Sequence, residues 1–254
     1  YFECLKYLFL QLPEAVKTNI LGTQNIVDLA LVHNVPKMIM ISTDKATNPV
    51  NVMGATKFIS EKVVMNGNYR SKGKQVFSCV RFGNVANTRG SVIPVLVENL
   101  KKGKTLLISD TEITRFIMRV TDAVNLIFKA TNLARGGEVF ILNMRAFRLG
   151  DLLDVFIKKI APKFGKAGIH FKKIGLCPGE KKFEELVNFN ESESVYKIDD
   201  MFVVFSNSRG LDSRLANLEK LDLNDYRSDK VDLLSKEEIE RIVCDYIEKS
   251  KNNH

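Results

Sequence analysis

The stretch KMIMISTDKATNPVNVMGATK, Lys37 to Lys57, decides how this chain is read. Its opening run, Lys37 to Ser42, is short and almost continuously apolar, as a parallel strand covered on both faces requires. The polar residues Ser42, Thr43, Asp44 and Lys45 follow at the carboxyl end, where open α/β sheets place their ligands. A helical pattern then runs from about Met53 to Tyr69. Met53 and Lys57 share one face of that helix. The arrangement gathers an acid and two amines around one crevice.

Outward from this stretch, Ala15, Val16, Ile20, Ile26, Val27, Leu29, Ala30 and Leu31 recur at helical spacing between Pro13 and His33. A second buried strand is expected over residues 75–82. Further strands at 105–109, 138–143 and 169–174 alternate with helices at 92–100, 121–131 and 149–160. Ser235-Lys236-Glu237-Glu238 is a capping-box pattern that opens a last helix to about Ser250, and the tail SKNNH frays. The polar residues 188–200 predict an exposed connection. The alternation predicts an α/β fold: a partial Rossmann-like, doubly wound parallel sheet with a smaller C-terminal α/β lobe. Met38–Ser42 and Val76–Phe82 are expected as neighbouring parallel strands whose carboxyl ends face one crevice.

The 254 residues are 45% hydrophobic, enough for a sizeable core, which excludes a disordered or fibrous chain. Four cysteines and three histidines show no close ligand spacing, so no metal site is expected. Scattered thiols fit a reducing, cytoplasmic setting. The excess of 38 Lys+Arg over 30 Asp+Glu fits nucleic acid, an anionic membrane, a phosphorylated small molecule or a plain solvated surface. No apolar run approaches the roughly 20 residues of a membrane span. The opening YFECLKYLFLQL carries Glu3 and Lys6, which argues against a secretory signal. It has no initiating methionine, so the natural N-terminus is expected elsewhere.

Thr-Asp-Lys alone is most often a solvated turn, and GATK alone an ordinary helix start. Together, the residues 41–57 resemble the catalytic stretch of the extended short-chain dehydrogenase/reductases. They are most similar to the polysaccharide-biosynthesis (CapD-like) 4,6-dehydratases that act on UDP-N-acetylglucosamine. The resemblance continues in family order through KTNILGTQN (Lys17–Asn25), RFGNVANTRGSVIP (Arg81–Pro94), TEITRFIM (Thr111–Met118), GGEVFILNM (Gly136–Met144), GLCPGEKKFEEL (Gly175–Leu186) and YRSD followed by LSKEEI. It implies that residues 1–90 are mainly the Rossmann-like catalytic half and 91–254 mainly an interleaved substrate-binding lobe.

Three departures stand out. Met53 replaces the tyrosine of the general YxxxK motif, and methionine transfers no proton; larger, membrane-linked members of the family carry methionine there too. A packed apolar helix residue is the plain alternative for Met53. Cys177 stands where the family form GLRPGE has arginine, which removes a bidentate phosphate clamp. Arg115, Arg89 or Lys181 are the candidates to compensate. Finally, no glycine-rich strand-to-helix turn for a dinucleotide occurs in the chain; it is expected upstream.

The resemblance implies NAD or NADP as cofactor, without choosing between them, and a sequence in which C4 is oxidised, the C5 proton is removed, water leaves C6 and C6 is reduced. It assigns Lys45 to the C5 proton and Asp44 to the departing C6 hydroxyl. Acting as a base requires a neutral Lys45, which burial beside Lys57 and the nicotinamide cation favours. Thr43 would orient the sugar O4, Lys57 would bond the nicotinamide ribose, and Asn19 and Phe82 would lie on the cofactor side. The O4 proton would leave through Thr43, Lys57 or water. Substrate contacts would come from Asn84, Arg89, Ser91, Val92, Arg115 and Glu180.

The product implied is a UDP-4-keto-6-deoxy sugar for surface polysaccharide or glycan. The partner is then a UDP-sugar and not nucleic acid, with a homo-oligomer for the complete protein. A cytoplasmic location is expected, with membrane attachment only through segments outside this sequence. An epimerase of the same fold and a non-catalytic remnant or binding module stay open as alternatives; Asp44-Lys45 favours dehydration, since epimerisation needs no base at C5.

Overall fold

The computed structural model describes residues 12–88, 91–166, 170–205, 218–221, 223 and 226–252. Two compact units share the chain. One draws on Tyr1–Gly83, Thr121–Asn143 and Glu185–Arg227, the other on Asn84–Val120, Met144–Glu184 and Ser228–His254.

The first unit is built on a sheet of β1 (Lys37–Thr43), β2 (Val76–Phe82), β3 (Glu138–Leu142), β4 (Val195–Ile198), β5 (Met201–Phe205) and β6 (Glu219–Leu221). Their spatial order is β1-β2-β3-β5-β4-β6. β1, β2 and β3 are parallel neighbours, with Lys37 level with Val76 and Thr43 level with Phe82. The expected pairing of the two apolar runs is therefore present. The remaining pairings are antiparallel, so the sheet is mixed and only its first half is parallel.

Helices α1 (Gly22–Val32), α2 (Val52–Ser71) and α3 (Val120–Leu133) accompany it. A helical turn, Leu12–Ala15, and a π-helical stretch, Val16–Leu21, lead into α1. Asn51 caps α2 by accepting a 2.9 Å hydrogen bond from the Gly54 amide. Lys72 and Gly73 end it in left-handed backbone. The buried residues of α2 include Gly54, Thr56, Ser60, Val64, Gly67 and Ser71. Such small residues let the helix axis come close to the sheet. A Cβ on Gly67 would stand 2.8 Å from the Phe77 ring, and the Asn68 side chain bonds both the amide and the carbonyl of Phe77.

Phe77 through Phe82 are buried along β2, flanked by Val139, Phe140 and Ile141. Each large apolar side chain removed from water in this way contributes about 1.5–3 kcal/mol. β1 departs from the expectation of cover on both faces: Met40 and Ser42 on one face are buried, while Ile41 on the other is 48% exposed. Residues 188–200 also depart from the expected exposed connection. Ser192 and Val195 are buried and residues 195–198 are β4, because Glu191 is drawn inward by Arg81 and Val195 pairs beside Val204 of β5.

The second unit holds a three-stranded sheet (Asn84–Val85, Thr114–Met118, Ala146–Arg148) and a parallel pair (Leu106–Ile108, Phe171–Lys173). Helices Val92–Lys101, Leu149–Val155 and Lys236–Asn252 bury Leu96, Leu100, Leu152, Ile239 and Val243 in one cluster with Phe147. The capping box is formed: the Ser235 amide bonds Glu238 Oε2 at 2.8 Å and the Glu238 amide bonds Ser235 Oγ at 3.3 Å.

Candidate active site

In the first unit, β1 runs directly into a short 3-10 turn, Asp44–Ala46, whose N-cap is Thr43. This turn puts Asp44 inside and Lys45 at the rim. The Asp44 carboxylate is fully buried. Its Oδ1 accepts hydrogen bonds from Thr43 Oγ1 and Lys45 Nζ, each at 2.8 Å. Its Oδ2 is buried with no hydrogen-bond partner. A buried oxygen of this kind costs stability unless a ligand or water meets it. Ser42 Oγ, on the preceding residue but one, is also buried and unpartnered.

Helix α2 begins against the same turn. Its residue 54 packs on the carbonyl of Lys45, so closely that only glycine fits. Along the helix, Met53 is 49% exposed. Lys57 is partly buried, and its Nζ donates to the Ile41 carbonyl at 2.7 Å. Burial holds its ammonium below the ordinary lysine range, against opposing attraction from Cys79 and Glu61. Cys79 itself is pushed well above the ordinary thiol range by burial and is uncharged at neutral pH. Glu61 is therefore the anion Lys57 feels.

Asn19 sits in the π-helical stretch, where the widened turn lets it reach across to α2. Its Nδ2 donates to Thr56 Oγ1 at 2.9 Å, and its carbonyl accepts from Ser60 Oγ. Phe82 closes β2 and is buried. The structure thus brings Thr43, Asp44 and Lys45 together at the end of β1 and ties Asn19 to the helix that carries Met53 and Lys57. Gly54, read from sequence as a turn or packing glycine, packs as such, whereas Thr56, Ser60 and Glu61 escaped sequence reading. Their signal was helical spacing from Lys57, which places Ser60 and Glu61 one turn on.

In the second unit, Asn84 pairs with Ile117 in the small sheet. Ser91 stands at the N-cap of helix Val92–Lys101, with its Oγ buried and without a hydrogen-bond partner. Arg115 and Glu180 are brought together at 3.8 Å. The guanidinium also donates to the carbonyls of Thr114, Lys181 and Lys182, and Glu184 lies 3.8 Å away. Arg115 therefore holds the segment after Gly179 in place. The Cys177 amide donates to Glu180 Oε2 at 3.1 Å, which closes the GLCPGE turn on itself. Arg89 lies outside the described residues. Sequence reading missed Ser228, whose Oγ bonds Thr114 Oγ1 at 2.8 Å and the Glu184 amide at 3.0 Å.

No group of three or more His, Cys, Asp or Glu able to hold a metal stands together among the described residues. The buried, unpartnered Asp44 oxygen is the feature of this site that a bound group would relieve. The glycine-rich turn for the pyrophosphate is not among the 254 residues.

Comparison with known proteins places these features in context. A family model described as polysaccharide biosynthesis protein matches residues 10–206. An uncharacterized membrane protein, MJ1061, of Methanocaldococcus jannaschii is 47% identical over 91% of this chain and 68% of its own length. The capsular polysaccharide biosynthesis protein CapD of Staphylococcus aureus is 45% identical over 70% of this chain, which spans only 29% of that relative. A UDP-glucose 4-epimerase of Rickettsia prowazekii is 34% identical over 94% of this chain and 71% of its own length. Among solved structures, Pen from Bacillus thuringiensis superposes with a TM-score of 0.84 at 35% identity, over 92% of this chain and 69% of that one. The NAD complex of dTDP-glucose 4,6-dehydratase from Bacillus anthracis shares the fold, with a TM-score of 0.54 at 18% identity over 64% of this chain and 57% of that one. With the parallel β1–β2 pair, the Thr43-Asp44-Lys45 turn and the family match across most of its length, the chain belongs to the polysaccharide biosynthesis family of extended short-chain dehydrogenase/reductases.

Proposed function

We propose that this chain is the sugar-binding and catalytic part of a nucleotide-sugar 4,6-dehydratase acting on UDP-N-acetylglucosamine. The carrying observation is the buried Asp44 carboxylate paired with Lys45 at the rim of the β1 end, with Asp44 Oδ2 left free to meet a ligand. NAD or NADP, when bound, supplies reversible oxidation at the sugar. Lys57, Asn19 and Phe82 would hold its nicotinamide end.

The chain's own residues then move protons. Transfer of one proton along the 2.8 Å contact from Lys45 Nζ to Asp44 converts the ion pair into a neutral amine and a carboxylic acid. Lys45 takes the C5 proton and Asp44 protonates the C6 hydroxyl, which departs as water. The resting ion pair is thereby restored. Thr43, bonded to Asp44, orients the sugar O4. Arg115 and Glu180 order the GLCPGE turn, while Asn84, Arg89, Ser91 and Val92 receive the diphosphate side, where helix-start amides suit phosphate.

The test is incubation of UDP-N-acetylglucosamine in deuterated water with NAD and a protein that also carries a glycine-rich nucleotide-binding segment. The expected product is a 4-keto-6-deoxy sugar with solvent deuterium at C5. Recovery of a C4 epimer that keeps its C6 hydroxyl would establish the second reading, favoured by the 34% identity to proteins named UDP-glucose 4-epimerase. No change in the sugar would leave a binding module. We place the complete protein in the cytoplasm or at the cytoplasmic face of a membrane, supported by the free thiols of Cys79, Cys177 and Cys244. No helix of the described residues is long and apolar enough to cross a membrane.

A further inference from the structure

Arg81, on β2, is fully buried, and its guanidinium makes hydrogen bonds in every direction. Nε and Nη2 grip the two oxygens of Glu61 at 2.9 and 2.7 Å. Nη1 and Nη2 grip those of Glu191 at 2.7 and 2.8 Å, and Nη1 also meets the Leu186 carbonyl at 3.0 Å. All of the guanidinium's donors are thereby used. One cation lies between two carboxylates, so the cluster carries a net negative charge. Burying an unbalanced charge is costly. Glu191 meets two of the buried Arg81 donors and accepts from the Asn188 amide, so the hydrogen bonds it completes are set against this cost.

Glu61 lies one helical turn beyond Lys57 on α2, so both side chains project from one face. The charged and titratable groups that act on Lys57 are Cys79 on β2 and Glu61 on the helix itself; Glu61, Arg81, Lys57 and Lys62 in turn surround Cys79. Of these, the surplus negative charge at Glu61 opposes the loss of a proton from the partly buried Lys57.

We propose that Arg81 is a positioning residue which, by clamping Glu61 and Glu191, holds a net negative charge one turn from Lys57 and keeps that amine an ammonium able to donate to a ribose hydroxyl. The inference rests on the reading of Lys57 as a cofactor-facing amine. It predicts that removing either carboxylate makes Lys57 easier to deprotonate, whatever reaction the protein catalyses.

The experiment is NMR titration of the 254-residue chain with its lysines 13C-methylated, Lys57 being assigned through Lys57→Arg. It requires neither sugar nor dinucleotide, so failure of the dehydratase reading leaves its outcome intact. In Glu61→Gln the Lys57 midpoint is expected to fall by about one pH unit, as loss of a nearby unit charge predicts. In Glu191→Gln a smaller fall in the same direction is expected. Asp28→Asn, which removes an exposed carboxylate paired with Arg70, should leave it in place. An unchanged Lys57 midpoint in folded Glu61→Gln and Glu191→Gln overturns the proposal. If Glu61→Gln does not fold, Glu191→Gln decides alone, and loss of fold in both assigns the cluster to structure only and overturns it as well.

Discussion

A Cβ on Gly54 would stand 2.2 Å from the carbonyl oxygen of Lys45. Helix α2, capped by Asn51, comes this close to the turn that presents Asp44 and Lys45 because residue 54 has no side chain. The obstructing atom is backbone, so no flexible side chain can give way. Gly54→Ala should therefore destabilise the chain by about 1–3 kcal/mol, the usual cost of overpacking. Thermal unfolding measures it; an unchanged melting temperature would show that the turn moves freely.

Asp44→Asn and Lys45→Ala should each abolish water release in a protein that also carries a glycine-rich nucleotide segment, while UDP-sugar binding stays close to wild type. Both residues are assigned to C5–C6 chemistry and neither to the diphosphate, so the loss belongs in kcat. Because oxidation at C4 comes first, single-turnover absorbance should still show some reduced nicotinamide. Near-normal turnover by Lys45→Ala would remove it as the base and turn attention to Lys57 or water.

Glu191 gives a pH test of the buried cluster. Burial raises its carboxyl, but the hydrogen bonds and charge of Arg81 outweigh this and hold it below the ordinary carboxylate range. A group depressed in the folded state contributes stability above its unfolded value of about 4.3, and that contribution disappears as pH falls through the folded value. Glu191→Gln should cost on the order of 1–3 kcal/mol near neutrality. In denaturant unfolding followed from pH 7 downward, the variant should converge on wild type in acid. A constant gap across the range would contradict this.

The chain should bind NAD and NADP only weakly by itself. Lys57, Asn19 and Phe82 can meet the nicotinamide end, but the amides and helix dipole that hold a pyrophosphate belong to a glycine-rich turn not found in these residues. Calorimetric titration should give no affinity in the micromolar range or tighter for either dinucleotide.

Local patterns carried much of the fold. The apolar runs of β1 and β2, the helical spacing of α2 and the Ser235–Glu238 capping box were legible because each is set by neighbours a few residues apart. The strands Val195–Ile198 and Met201–Phe205 were not, since short strands beside a polar stretch gain their stability from distant partners.

The same division runs through the site. By itself, the sequence determined which residues stand at the end of β1 and that Asp44 is next to Lys45. Tertiary structure alone decided that Asp44 is fully buried with one oxygen unpartnered, that Asn19 reaches α2 from an earlier helix, and that Arg81 lies between Glu61 and Glu191. Burial and charge balance depend on groups brought together across the chain, and spacing along the sequence does not encode which of them will share one low-dielectric interior.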